Sequence, residues 1–118
     1  MRILLDAMGG DNAPVANIRG AVKFLKDTDS KIILIGKKDI LENVFKEEYP
    51  NEYEKLLKEI EIINANEVID MEEIPTIAIK EKKDSSMVKG FQLLKEDKVD
   101  VFVSAGNSGA LLTGAILL

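Results

Sequence analysis

A segment near the C-terminus combines glycines with small polar residues in a pattern that suits an anion. Ser104, Gly106, Asn107, Ser108 and Gly109 lie between an apolar stretch and a helix-like pattern. Glycine lets the backbone approach an anion closely, and the first N–H groups of a helix have no partner within the helix. The spacing matches neither the P-loop nor the dinucleotide-binding G-x-G-x-x-G pattern. It predicts a phosphate site, with a plain tight turn as the alternative interpretation.

A second polar cluster follows the first predicted strand and consists of Asp6, Gly9, Gly10, Asp11 and Asn12. Two carboxylates beside two glycines can orient a substrate, hold a cation or act as a base. In the competing interpretation the first carboxylate belongs to a turn and the second caps a helix.

A third candidate is the charged stretch that contains Lys82, Lys83, Ser85 and Ser86. These side chains could donate hydrogen bonds to an anion from the N-terminus of a helix. Charge runs between elements usually face solvent, so a solvated surface is the alternative.

The composition excludes several classes of chemistry. The 118 residues include 21 acidic and 16 basic side chains, and the net charge of -5 argues against nucleic-acid binding. The chain contains neither Cys nor His. It therefore cannot form a thiolate nucleophile, a Ser-His-Asp triad or a zinc-thiolate site, and no metal or cofactor is predicted. No apolar run is long enough to cross a bilayer or to act as a signal peptide, so we expect a cytoplasmic protein.

Apolar runs and helical periodicities alternate along the chain. This alternation predicts an α/β fold with three layers and a mostly parallel sheet, in which ligands bind at the carboxyl ends of the strands. Strands are predicted at 2–5, 32–35, 60–64 and 99–103, and helices near 15–25, 40–45, 53–57 and 87–94. A short turn or helix is predicted at 76–81, and a last helix is predicted after the glycine-bearing segment at 104–109.

Several local predictions accompany these elements. Asp11 or Asn12 should cap the first helix, and Ser85 or Ser86 should cap the helix near 87–94. In that helix we expect a buried stripe and a glycine, Gly90, that admits a close neighbour. The predicted stripe consists of Met87, Phe91 and Leu94.

The C-terminal residues Gly114–Leu118 continue an apolar helical pattern without a polar face or a stop signal. We therefore expect residues 1–118 to be the N-terminal portion of a longer polypeptide, whose absent C-terminal portion buries this helix.

Four segments together resemble the PlsX family, the acyl-acyl carrier protein:phosphate acyltransferases of bacterial phospholipid synthesis. Asp6–Pro14 is similar to the opening motif of the family, Lys82–Met87 to its middle motif and Ser104–Ala110 to its phosphate-loop-like motif. Asn64–Asp70 lies where members carry a stretch similar to Asp-Glu-Val-Ile. Two positions depart from the pattern, with Asn12 in place of a frequent His and Ser108 in place of the usual Thr.

The resemblance implies transfer of a fatty acyl group from acyl carrier protein to inorganic phosphate, which gives acyl phosphate for phospholipid synthesis. It implies a fold similar to isocitrate and isopropylmalate dehydrogenases, a homodimer and peripheral association with the inner membrane. Phosphate is already an anion at neutral pH, so no protein nucleophile is required. The 118 residues alone are expected to be inactive, because a partner lobe would close the cleft.

Under this hypothesis, Gly106, Asn107, Ser108 and Gly109 hold phosphate with the help of Ser104, and Asn107 could instead donate to the thioester oxyanion. The remaining candidates would line the same cleft and orient the reacting groups, or attract phosphate and the acidic carrier; they are Asp6, Asp11, Asn12, Lys82 and Lys83. A phosphotransacetylase that uses coenzyme A thioesters and a non-catalytic anion-binding module remain as alternatives.

Overall fold

A computed structural model describes residues 1–70 and 72–118, apart from the side chain of Ser108. It contains a four-stranded, all-parallel sheet with the strand order β3-β2-β1-β4. The strands are β1 (Arg2–Asp6), β2 (Lys31–Gly36), β3 (Glu61–Asn64) and β4 (Val101–Val103).

Helices connect the strands, and their positions agree with the predicted α/β alternation. They are α1 (Val15–Leu25), α2 (Lys38–Glu48), α3 (Tyr53–Glu59), α4 (Pro75–Glu81), α5 (Ser86–Lys95) and α6 (Ser108–Leu117).

Helices cover both faces of the sheet, and alternate residues of each strand point to opposite faces. On one face, Ile32 and Leu34 belong to a core formed with α1, α2 and α3. On the other face, Leu4, Ile33 and Ile35 pack in a second core that Leu93 of α5 borders. The uninterrupted apolar sequence of β2 is thus explained by burial on both sides.

Helices α4, α5 and α6 pack together and hold the glycine-bearing segment at 104–109 in place. Ile79 of α4, Met87 and Val88 of α5 and Ala110 of α6 form a third buried cluster. Close to it, a Cβ built on Gly114 would lie 2.6 Å from a ring atom of Phe91, so α6 packs directly on α5. This packing fixes where the N-terminus of α6 lies.

Two local predictions were wrong. Neither Asp11 nor Asn12 caps α1 with its side chain, because Pro14 occupies the N-cap position and the Asn12 carbonyl accepts the Ala16 N–H. Leu94 is 37% exposed, because the buried face of α5 is rotated toward Leu93.

Two other local predictions are confirmed. Ser85 caps α5, since its Oγ accepts the Val88 N–H at 3.1 Å. Gly90 lies against the ring of Phe102, which is the close neighbour that its sequence position indicates.

In the part of the chain that the structure describes, no helix has the length and apolar character needed to cross a membrane.

Replacing Gly90 by Ala should destabilise the fold. The new methyl group would lie 2.6 and 2.8 Å from two ring atoms of Phe102, and such overpacking costs about 1–3 kcal/mol. Chemical denaturation measures the change in the free energy of unfolding. The control is Gly20→Ala in α1, where a Cβ meets nothing within 4 Å and should gain about 0.5–1 kcal/mol. Equal effects of the two substitutions would contradict the proposed contact.

The ion pair between Arg2 and Asp100 should make stability depend on pH. Hydrogen bonds from the Arg2 side chain and backbone lower the pKa of Asp100 to about 2 from its ordinary 3.8. Because the folded-state pKa is the lower one, the stabilisation is complete above the ordinary pKa and is lost as the pH falls toward 2.

Asp100→Asn should therefore lower the midpoint of thermal unfolding at pH 7. The difference in midpoint between the variant and the unmodified protein should disappear between about pH 4 and pH 2. The control is Glu47→Gln, an exposed residue of α2 with no ion pair among the described residues. A gap that stays constant over this range would show that the charge of Asp100 does not contribute.

Candidate functional site

Two loops meet at the carboxyl end of the sheet. We call residues 7–14, which follow β1, the β1 loop, and residues 104–107, which follow β4, the β4 loop. The two strands pair in parallel, with Ile3 opposite Val101 and Leu5 opposite Val103. Their following loops therefore leave the sheet side by side, and the structure brings two of the three predicted clusters together.

The two loops are in backbone contact at their glycines. A Cβ built on Gly9 would lie only 2.7 Å from the backbone nitrogen of Gly106 and 3.0 Å from its Cα. Any larger residue at position 9 would force the loops apart. Gly10 adopts a φ of +98°, which favours glycine, and a Cβ there would lie 3.4 Å from the Ala105 side chain.

Asp6 connects the two loops through its carboxylate, which is 3% exposed. One oxygen, Oδ2, accepts a hydrogen bond from the Ser104 hydroxyl at 2.9 Å, and Oδ1 accepts the Met8 N–H at 3.0 Å. The Ser104 Oγ in turn accepts the Gly106 N–H at 3.2 Å. A buried charge requires such partners, so Asp6 and Ser104 form one network that fixes both loops.

Asn107 holds the N-terminus of α6 in place. Its Oδ1 accepts the Ala110 N–H at 3.0 Å, which is an N-cap bond, and the side chain is buried. Its Nδ2 donates to the carbonyls of Asp70 at 2.9 Å and Glu73 at 3.1 Å. The side-chain amide thus ties the β4 loop to the segment before α4, which is a positioning role.

Lys82 belongs to the same structural framework. Its Nζ donates to the Glu73 carboxylate and to the Val68 carbonyl, each at 2.7 Å. The hydrogen bond from Lys82 lowers the pKa of Glu73, and the carboxylate in return raises the pKa of Lys82. Lys82 therefore stays charged with its ammonium engaged, whereas Lys83 is exposed.

Ser85 and Ser86 are both buried at the start of α5. Besides the N-cap bond of Ser85, the Ser86 N–H donates to the Glu67 carbonyl at 3.2 Å. These serines therefore hold the segment that follows β3 against the start of α5.

Asp11 and Asn12 are exposed, and neither side chain makes a hydrogen bond to another described residue. They are available to a ligand that approaches the β1 loop. Among the described residues there is no group of three or more carboxylates that could hold a metal ion. The side chain of Ser108, another predicted ligand group, lies outside the described part of the chain.

The sequence did not indicate two residues that position these loops. Asn17 in α1 donates from its side chain to carbonyls of the β1 loop, and Glu73 joins Lys82 to Asp70. A polar residue in the first turn of an apolar helix is a signal that could have identified Asn17.

A double-mutant cycle tests the network between the loops. Asp6→Ala and Ser104→Ala should each destabilise the protein, by about 1–3 kcal/mol for a lost hydrogen bond to a charged group. Because the two side chains share one bond, the double variant should lose less than the sum, with a coupling of about 0.5–3 kcal/mol. Urea denaturation of the four proteins gives this coupling.

The matched control for this cycle pairs Asp11→Ala, an exposed carboxylate of the same loop, with Ser104→Ala. These effects should add to within about 0.5 kcal/mol. Additivity of the Asp6 and Ser104 substitutions as well would show that the loops are not coupled through this bond.

The chain was compared with known proteins. A family model described as "Fatty acid synthesis protein" matches residues 1–118. A phosphate acyltransferase of Caldicellulosiruptor bescii is 50% identical over 119 residues, which cover 100% of this chain and 34% of that protein. A phosphate acyltransferase of Dictyoglomus turgidum is 46% identical over 117 residues, which cover 99% of this chain and 33% of that protein.

The chain thus spans about a third of the length of the curated relatives that it matches. The match with the family model extends over every residue of the chain, and the three resembling motifs lie within it. In agreement with the resemblance to PlsX proteins, this chain belongs to the family of fatty acid synthesis proteins.

Proposed function

We propose that the protein transfers a fatty acyl group from acyl-acyl carrier protein to inorganic phosphate, and that this chain supplies the phosphate side of the active site. The observation that carries the proposal is the contact between the β1 and β4 loops, held by the bond from Ser104 to Asp6. A site built from two glycine-bearing loops beside a helix N-terminus suits a small oxyanion.

The relatives support the reaction class, since their printed name is phosphate acyltransferase. Since they are about three times as long as this chain, we take residues 1–118 as the N-terminal portion of such an enzyme. A second portion would close the cleft over the exposed residues Asp11 and Asn12 of the β1 loop, and the 118 residues alone would not catalyse the reaction.

In the reaction that we propose, a phosphate oxygen attacks the thioester carbonyl carbon. A C–O bond forms, the C–S bond breaks, and the departing thiolate takes up a proton, which leaves acyl phosphate and the free carrier thiol. Phosphate is nucleophilic without activation at neutral pH, so positioning and charge stabilisation carry most of the catalysis.

Phosphate would bind to the backbone N–H groups of Ser108 and Gly109 at the start of α6, while Gly106, whose N–H donates to the Ser104 Oγ, would hold the β4 loop in shape. The N-terminus of α6 carries a partial positive charge of about 0.5 from the helix dipole, which favours an anion there. Asn107 and Asp6 would act by holding these groups in place, since their side chains are engaged in internal hydrogen bonds.

The exposed residues would contact the incoming substrates. Asp11 and Asn12 would orient the acyl donor at the mouth of the β1 loop, and Lys83 would attract phosphate or the acidic carrier. The buried or paired residues of the middle cluster would hold the neighbouring segments in place through the bonds described above; they are Lys82, Ser85 and Ser86.

The family resemblance also supports several finer proposals. The complete enzyme would have a fold similar to isocitrate and isopropylmalate dehydrogenases and would act as a homodimer. It would work in the cytoplasm, at the inner face of the membrane, where its product is consumed.

The first experiment compares acyl donors. The intact protein, of which we propose this chain to be a portion, is incubated with phosphate and either acyl-acyl carrier protein or acyl-coenzyme A, and acyl phosphate is measured. We expect turnover with the carrier protein. Turnover with coenzyme A alone would favour a phosphotransacetylase, and phosphate binding without any transfer would favour a non-catalytic module.

Gly9→Ala tests the contact between the loops. The methyl group would displace the Gly106 backbone by several tenths of an ångström, and misplacement of a bound reactant can cost about 10²-fold in rate. We expect a loss of kcat/KM for phosphate of at least about tenfold by the same reasoning. Gly20→Ala, in the open region of α1, should leave kcat/KM unchanged. An unchanged rate for Gly9→Ala would contradict the assigned site.

A further inference from the structure

The side-chain amide of Asn17 lies within hydrogen-bond distance of three backbone carbonyls at the start of the β1 loop. Its Nδ2 lies 2.8 Å from the Gly9 carbonyl, 2.9 Å from the Ala7 carbonyl and 3.3 Å from the Asp6 carbonyl. Two backbone oxygens of the β1 loop and the carbonyl oxygen of Asp6, the last residue of β1, therefore converge on one amide group in the first turn of α1.

This convergence fixes the orientation of the peptide groups in the loop. In a trans peptide the C=O and the following N–H point in opposite directions. Because the Gly9 carbonyl points toward Asn17, the Gly10 N–H points away from α1. The Ala7 carbonyl is held in the same way, and the following Met8 N–H bonds to Asp6 Oδ1. Asn17 thus sets which backbone groups the loop presents on its other side.

The other side of the loop is the contact with the β4 loop. Gly9 packs on the Gly106 backbone, and Gly10 packs on Ala105. A shift of the Gly9 peptide toward or away from α1 would therefore change the spacing between the two loops. Asn17 itself is partly buried on α1 and makes no described contact with the β4 loop, so its influence on that spacing runs through the β1 loop.

We propose that Asn17 is a positioning residue for the phosphate site, which it serves by fixing the peptide orientations at Ala7 and Gly9. The inference rests on the proposed function, because it assumes that the two loops bind phosphate together. It adds a residue that belongs to none of the three motif segments.

The test uses Asn17→Asp and Asn17→Ala in the intact protein. Aspartate has the shape of asparagine, but it places an acceptor oxygen where three carbonyl oxygens converge, so the loop must move. Alanine removes the donor and leaves the carbonyls to solvent. We expect the KM for inorganic phosphate to rise about tenfold in Asn17→Asp, with the KM for the acyl donor unchanged within about twofold.

A merely structural role would change the amount of folded protein and not the selectivity between substrates. Circular dichroism melts therefore accompany the kinetics, and the matched control is Asn43→Ala, an exposed asparagine of α2. An unchanged KM for phosphate in both Asn17 variants, or an equal change in KM for both substrates, would overturn the inference.

Calorimetric titration with inorganic phosphate separates this inference from the proposed function. If the unmodified protein binds phosphate but transfers no acyl group, the proposed reaction is wrong. The inference about Asn17 is then tested by whether Asn17→Asp weakens phosphate binding. If the unmodified protein transfers acyl groups and Asn17→Asp binds phosphate equally well, only the inference about Asn17 is wrong. If phosphate neither binds nor reacts, both the proposed reaction and the inference about Asn17 are wrong.

Discussion

The parallel pairing of β1 with β4 is the constraint on which the site depends. It sets Leu5 opposite Val103, so that the next residue of one strand, Asp6, can accept a hydrogen bond from the next residue of the other, Ser104. These two strands are separated by about a hundred residues of chain, and the helices between them must pack correctly before the bond can form. The site therefore depends on the whole fold, because the carboxylate of Asp6 and the hydroxyl of Ser104 come from distant parts of the sequence.

Side chains in this region act mainly on the backbone. Asn17 holds carbonyls of the β1 loop, Asn107 holds those of Asp70 and Glu73, and Lys82 holds that of Val68. Engaging the carbonyls in this way fixes the orientation of the peptide groups to which they belong. For a small, symmetric anion such as phosphate, a rigid set of N–H groups costs little reorganisation on binding, which is the property that electrostatic catalysis needs. In the function that we propose, exposed charged side chains attract and orient the larger substrate.

Much of the fold could be predicted from the sequence, because the apolar periodicity of each element is strong and a parallel sheet places strand ends together. The convergence of the two glycine segments follows from that topology. The side-chain roles could not be predicted in the same way. Lys82 is paired with Glu73, which lies nine positions before it at the other end of α4, and a local charge pattern does not identify such a partner. Asn17 and Asn107 bond to backbone carbonyls whose directions depend on the finished fold. Leu94 was misassigned since a rotation of one residue along a helix exchanges its buried and exposed faces.

Whether the β1 and β4 loops form one phosphate site can be decided by a phosphate titration that is followed by amide nuclear magnetic resonance. Inorganic phosphate is added to the isotope-labelled protein, and the resonances of Gly9, Gly10, Gly106 and Gly109 are observed. We expect amides of both loops to shift together along a single binding curve with one Kd. Shifts confined to one loop, or glycine resonances that do not respond to phosphate, would contradict it.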